Sequence, residues 1–271
     1  MDTSRIVFIG GGNMASAIVA GLVKGGTGPQ AVVVVEPFDE QRRRLQAQYG
    51  VHTLPAADAS LAQAGLVVWA VKPQAFGEAA APCAPFVAQA LHLSVMAGIR
   101  SDAIARATGS ERVVRAMPNT PALIGQGIAG LYARPAVAAP DRARIEAVLR
   151  PTGNCCWVEH ERDLDAVTAL SGSGPAYVFY VVEAMMQAAV EMGLTEAQGR
   201  QLALATVAGA AALAQQSADA PALLRERVTS KGGTTHAAIT VLEDAGVKAA
   251  FVQALKAAQR RARELGDEFG A

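Results

Sequence analysis

A chain of 271 residues can bury a sizeable core and stands near the size at which single cores divide, so two domains are expected. Its 24 Lys and Arg balance 24 Asp and Glu, which removes any global charge that would draw it to nucleic acid or an anionic membrane and favours a small-molecule partner. Cys83, Cys155 and Cys156 are too few and too irregular for a disulfide framework or a zinc site, so idle thiols, no metal and a reducing compartment are expected. The opening MDTSRIVFIG lacks a secretory pattern, and the cytoplasm is the expected address.

The first predicted element is an apolar strand, RIVFI at 5–9, followed by Gly10, Gly11 and Gly12 and then a helix over 13–24. Strands follow at 31–35, 66–71, 91–95 and 112–116, with helices between them at 38–49, 74–81 and 101–107. Such continuous apolar runs, alternating with helices, predict a parallel sheet covered on both faces. Two further runs, 127–132 and 154–158, flank a helix at 140–149 and extend the sheet. Beyond residue 160 only helical signal remains, at 175–192, 195–216, 234–245 and 247–265. The expected architecture is therefore an α/β Rossmann-type doubly wound sheet over 1–159, followed by an all-α dimerisation and substrate domain over 160–271.

Dimerisation is expected from one helix in particular. In 175–192, PAYVFYVVEAMMQAAVEM, Glu183, Gln187 and Glu191 recur every four residues and form one thin polar stripe on an otherwise apolar cylinder. Glu183 interrupts the run at its middle, and the stretch is short for a bilayer core, so no membrane span is expected. LALATVAGAAALA at 202–214 is similarly apolar, and a small domain cannot hide both helices alone. A homodimer that shares them is the economical answer.

Gly10-x-Gly12-x-x-Ala15 sits between strand and helix, the context in which this pattern predicts a dinucleotide site. Gly10 permits the tight turn, Gly12 lets a pyrophosphate approach the backbone, and Ala15 lets helix pack on strand. Glu36 ends the second strand, where an acid hydrogen-bonds the adenosine ribose, repels a 2′-phosphate and favours NADH over NADPH. Arg42, Arg43 and Arg44 can hold a phosphate, but a solvated helix face is expected for them. Ala70, Val71, Lys72 and Pro73 leave a strand at the sheet edge that binds ligands.

In the helical half, Ser171-Gly172-Ser173-Gly174 precedes Pro175, and Gly232-Gly233 leads through Thr234 and Thr235 into another helix. Both read as amide-rich helix starts suited to an anion, plausibly one carboxylate substrate, and both also read as plain caps with flexible loops.

The segments FIGGGNMASAI, AVKPQ, RAMPNTPA, DAVTALSGSGPAYVF and GGTT, in this order and at these separations, resemble pyrroline-5-carboxylate reductase from about residue 5 to 265. The resemblance implies reduction of 1-pyrroline-5-carboxylate to L-proline by NADH or NADPH, the last step of proline biosynthesis. It also implies interlocked homodimers, which in that family often assemble into decamers. Carried over by position, the cofactor meets Gly10, Gly11, Gly12, Asn13, Met14, Ala15, Glu36, Ala70, Val71, Lys72, Pro73, Met96 and Ala97. The substrate meets Glu161, Ser171, Gly172, Ser173, Gly174, Gly233, Thr234 and Thr235, and the Thr235 hydroxyl bonds the ring nitrogen as the catalytic group. Lys231 and Arg227 depart from the family, which has proline and a neutral polar residue there, so the pocket edge is expected to differ.

Hydride addition to a carbon–nitrogen double bond needs neither metal nor covalent nucleophile. His52, His92 and His160 adjoin no substrate motif, and His236 reads as an exposed residue of a first helical turn rather than a general acid. Asn119, in MPNTP, reads equally as an orienting amide or a turn former. Two alternatives stay open. A 3-hydroxyacid dehydrogenase shares the glycine turn but carries a lysine on the helix after its substrate-binding glycines, where 175–192 has none. A non-catalytic nucleotide sensor would bind the dinucleotide and leave the imine untouched.

Overall fold

The computed structural model describes residues 5–269. Its first part is an eight-stranded sheet made of β1 (Arg5–Ile9), β2 (Val32–Val35), β3 (His52–Leu54), β4 (Ala64–Trp69), β5 (Leu91–Ser94), β6 (Val113–Met117), β7 (Gly127–Ala133) and β8 (Gly153–Trp157). The order β3-β2-β1-β4-β5-β6-β7-β8 reproduces the doubly wound 3-2-1-4-5-6 arrangement with two strands added at one edge. The connecting helices are α1 (Asn13–Lys24), α2 (Asp39–Tyr49), α3 (Phe76–Ala80), α4 (Ala84–Val87), α5 (Ser101–Thr108) and α6 (Ala139–Leu149).

Alternate residues of the central strands feed two cores. Phe8, Val34 and Val68 pack on one face of the sheet, and Val7, Val33 and Trp69 on the other. Burial on both faces is why these strands are apolar without interruption. The sheet departs from the expected parallel pairing at β7, which runs antiparallel to β6 with Met117 opposite Gly130. Only residues 118–126 join these strands, too short a connection for the crossover that parallel neighbours need. The α6 crossover then makes β8 parallel to β7.

After β8 the chain is helical: α7 (Asp163–Val167), a π-turn (Thr168–Gly172), α8 (Gly174–Glu191), α9 (Glu196–Gln216), α10 (Pro221–Arg227), α11 (Thr234–Asp244) and α12 (Val247–Phe269). The expected division at 159/160 is displaced. One compact unit runs through Ser173 and resumes at Ala258, and the other comprises Gly174–Ala257. Side chains explain the shift, because Glu161 binds Arg115 of β6 and Ser171 is bound by Asn119, which fastens 160–173 to the sheet. The last turns of α12 return to the first unit, where Asp267 pairs with Arg100.

Within the second unit the buried residues are Val182, Ala189, Gly199 and Ala203. Phe179, Tyr180, Leu202 and Leu213 are each more than half exposed. No helix among the described residues is long and apolar enough to cross a membrane.

Candidate active site

The hand-over from β1 to α1 is built as the glycine pattern requires. Gly10 has φ +96° and donates its N–H to Val35 O at 2.9 Å. A Cβ there would lie 2.7 Å from the Ala70 carbonyl oxygen, so only glycine lets the loop run this close to the next strand. Gly12 caps α1, and a Cβ built on it meets nothing within 4 Å. Open space therefore faces the first-turn amides of Asn13 and Met14, which have no helical partner. Ala15 is 1% exposed, packed into the core beneath the turn. A pyrophosphate fits this cradle, since the side chains are missing on the side where the orphan amides point.

Glu36 is 6% exposed. Its Oε2 accepts the Gly11 N–H at 2.8 Å and its Oε1 the Phe38 N–H at 3.0 Å, so the carboxylate holds the glycine loop to the β2–α2 turn. The neighbouring arginines divide. Arg43 is largely exposed and pairs with Asp39 at 2.6 Å, and Arg44 is exposed, as expected of a solvated face. Arg42 instead folds back, and its Nη1 donates to the carbonyls of Glu36 at 2.8 Å and Pro37 at 2.7 Å. That guanidinium seals the turn beside Glu36.

The other predicted cofactor positions lie along the same strand ends. Ala70 N–H donates to Ile9 O at 2.9 Å, and Val95 N–H to Trp69 O at 3.0 Å, so β1, β4 and β5 stay laddered into the loops that carry Val71, Lys72, Pro73, Met96 and Ala97. Lys72 and Ala97 are exposed, whereas Met96 is buried and its N–H donates to Ser94 Oγ at 3.3 Å.

The predicted substrate residues of the first unit are held by bonds within the chain. Glu161 is tied to β6 and to the start of α5. Its Oε1 accepts the Ser101 N–H at 2.6 Å and Arg115 Nη1 at 2.9 Å, and its Oε2 accepts Ser101 Oγ at 2.6 Å. It caps α5 and neutralises an arginine buried in β6, so both oxygens take part in the fold. The Ser171–Gly174 segment, expected as a loop of free amides, is a π-turn running into α8. Ser173 N–H donates to Thr168 O at 2.8 Å, Ser171 Oγ to Val167 O at 3.0 Å, and Asn119 Nδ2 to Ser171 O at 3.1 Å. A Cβ on Gly172 would lie 2.7 Å from Met117 Cε. Turns of this kind recur at functional sites, and hydrophobic periodicity carries no signal for them.

In the second unit Gly233 caps α11, with its N–H on Ser230 O at 3.0 Å. Thr234 and Thr235 open that helix, Thr234 exposed and Thr235 half-buried. Among the described residues neither hydroxyl is bound to another group of the chain. His236 is exposed. Arg227 is drawn to Asp219, so this departure from the family pattern is held by the chain itself, and Lys231 is exposed.

Among the described residues, no three His, Cys, Asp or Glu side chains are grouped as a metal would require. The three cysteines are free, and burial pushes the Cys83 thiol up to about 11.

Comparison with known proteins extends over the whole chain. A family model described as pyrroline-5-carboxylate reductase dimerisation matches residues 161–265, and one described as NADP oxidoreductase, coenzyme F420-dependent, matches residues 5–98. The chain is 40% identical to the pyrroline-5-carboxylate reductase of Pseudomonas aeruginosa, with all of both chains covered. It is 39% identical to that of Synechocystis, over 97% of this chain and 98% of the relative. Among solved structures, a pyrroline-5-carboxylate reductase from Coxiella burnetii superposes with a TM-score of 0.92 at 37% identity, covering 97% of this chain and 99% of that one. The Plasmodium falciparum pyrroline carboxylate reductase with NADP bound gives 0.86 at 25% identity, covering 98% and 99%. A nucleotide cradle on a doubly wound sheet, a GGTT helix start and end-to-end similarity converge on one conclusion: the chain belongs to the pyrroline-5-carboxylate reductase family.

Proposed function

We propose that this protein reduces 1-pyrroline-5-carboxylate to L-proline with NADH or NADPH, the last step of proline biosynthesis. The observation that carries the reading is the match, over its entire length, to a pyrroline-5-carboxylate reductase at 40% identity. The bound dinucleotide supplies a hydride to the imine carbon, and a proton on the ring nitrogen completes the amine. The first-turn amides of α1 take the pyrophosphate, Glu36 lies by the adenosine ribose, and the loops after β4 and β5 border the nicotinamide end. The Ser171–Gly174 turn and the GGTT helix start bind the substrate, and the free hydroxyl of Thr235 holds the ring nitrogen as it gains its proton.

The protein is a homo-oligomer. Its basic assembly is proposed to be a homodimer through the second unit, with five dimers forming a decamer. Free thiols suit a cytoplasmic setting.

The test is NADH oxidation followed with and without 1-pyrroline-5-carboxylate, after exhaustive chelation. Oxidation that depends on the imine and survives chelation is expected. Oxidation indifferent to the imine, or restored only by zinc, overturns the reading.

A further inference from the structure

Asn119 is the second residue after β6, and its backbone does the local work. The Asn119 carbonyl accepts the Ala122 N–H at 3.1 Å and opens the 3-10 turn Thr120–Ile124. The side chain takes no part in that turn. Its Nδ2 donates to Ser171 O at 3.1 Å, 52 residues away, and its Oδ1 accepts the Ile128 N–H at 3.0 Å, at the start of β7. One partner is a carbonyl and the other an N–H, so a single orientation of the amide satisfies both.

The Ser171 carbonyl needs such a donor. In a continuing helix its partner would be the N–H of residue 175, and Pro175 has none. A half-buried carbonyl without a partner is unfavourable, and the side chain that ends β6 supplies the missing bond. Met117, the last residue of β6, reaches under Gly172. The end of β6 therefore grips two consecutive residues of the π-turn.

We propose that Asn119 is a positioning residue. Its amide fixes the Ser171–Ser173 turn to the C-terminal end of β6, next to the strand ends that carry the nucleotide cradle. The tie stands on the geometry alone, and its catalytic consequence rests on the proposed role of that turn in binding the imine. The Asn119 amide is spent on Ser171 and Ile128, so it acts through the turn, and its loss is expected to raise KM for the imine and leave the dinucleotide dissociation constant alone.

Asn119→Asp separates the two bonds, because it keeps an oxygen for Ile128 and the backbone turn while removing the donor to Ser171. Asn119→Ser is the second variant, neutral and one bond too short to put a donor where Nδ2 bonds the Ser171 carbonyl, should the carboxylate impair folding. The measurements are steady-state kinetics with 1-pyrroline-5-carboxylate, NADH titration by fluorescence, and hydrogen exchange of residues 168–173. The expected result is a rise in imine KM of about fivefold or more, an NADH dissociation constant within about twofold of the parent, and faster exchange in the turn. Unchanged exchange in both variants overturns the proposal even if the parent fails to reduce the imine. Faster exchange with unchanged KM supports the tie and overturns the assignment of this turn to the substrate.

Discussion

On the proposed reading, Thr235 meets the imine and Glu36 the adenosine ribose, and each role can be tested by one substitution. Among the described residues the Thr235 hydroxyl has no partner, and the proposed contact with the ring nitrogen matters most in the transition state. Thr235→Val keeps the branched shape and removes the hydroxyl. It is expected to lower kcat by about 5- to 150-fold, the equivalent of about 1–3 kcal/mol, with NADH binding unchanged. Full kcat in the variant would hand the proton to bound water. Glu36 acts in two ways at once, because the carboxylate that disfavours a 2′-phosphate also holds the Gly11 and Phe38 amides. Glu36→Ser should move the kcat/KM ratio toward NADPH and also weaken NADH binding as the glycine loop loosens. Arg42, held to the Glu36 and Pro37 carbonyls that the variant keeps, remains beside the turn as a positive charge for the phosphate. An unchanged ratio would show that the acid does not face the ribose.

Strands and helices were legible where burial dictates residue type. RIVFI and LVVWAV announce β1 and β4 because both faces are covered, and helix starts were readable to within a residue or two at 13, 38 and 234. Other elements are set by partners distant in sequence. His52-Thr53-Leu54 becomes β3 only by lying beside β2, and α10 is too short to display a period. Nothing local to Glu161 announces its bonds to Arg115 and Ser101, which lie 46 and 60 residues away in sequence. The return of α12 to the first unit has no local signature at all. His92 shows the same limit and carries a prediction. Buried in β5, its Nδ1 accepts the Trp69 indole N–H at 3.0 Å and its Nε2 lies 3.1 Å from Val87 O, an arrangement that needs the neutral ring with the proton on Nε2. Burial lowers its pKa to about 4. The unfolded chain, titrating near 6.5, takes up this proton first, so the contribution is complete above pH 6.5 and is lost as pH falls toward 4. The loss amounts to about 3 kcal/mol at most. Melting temperatures of the parent should fall over this window more steeply than those of His92→Gln, at one protein concentration. Parallel slopes would place the titration elsewhere.

At the scale of the whole molecule, the second unit cannot be a finished structure as a monomer. Its long helices bury only two residues each within the described unit, Val182 and Ala189 on α8 and Gly199 and Ala203 on α9. Phe179 is 59% exposed, Tyr180 74% and Leu213 61%. The apolar area must therefore be covered by another copy, which agrees with the dimerisation model matched over 161–265. Sequence periodicity makes Val182 a natural position at which to break such an interface. The structure corrects that choice, since Val182 is 8% exposed and packs within its own chain, where an aspartate would unfold the protomer rather than report on assembly. Phe179 is the better probe. In a two-fold dimer each substitution occurs twice, and two large apolar side chains contribute roughly 3–6 kcal/mol to association. Phe179→Asp should therefore weaken dimerisation on the order of 100- to 10,000-fold, visible in sedimentation equilibrium as monomer or as aggregate. Activity should fall in parallel if the helical unit, which carries GGTT, needs its partner to hold its fold. A parent protein that sediments as a folded, active monomer at assay concentration would contradict the dimer and leave the exposed face of α8 to a different partner.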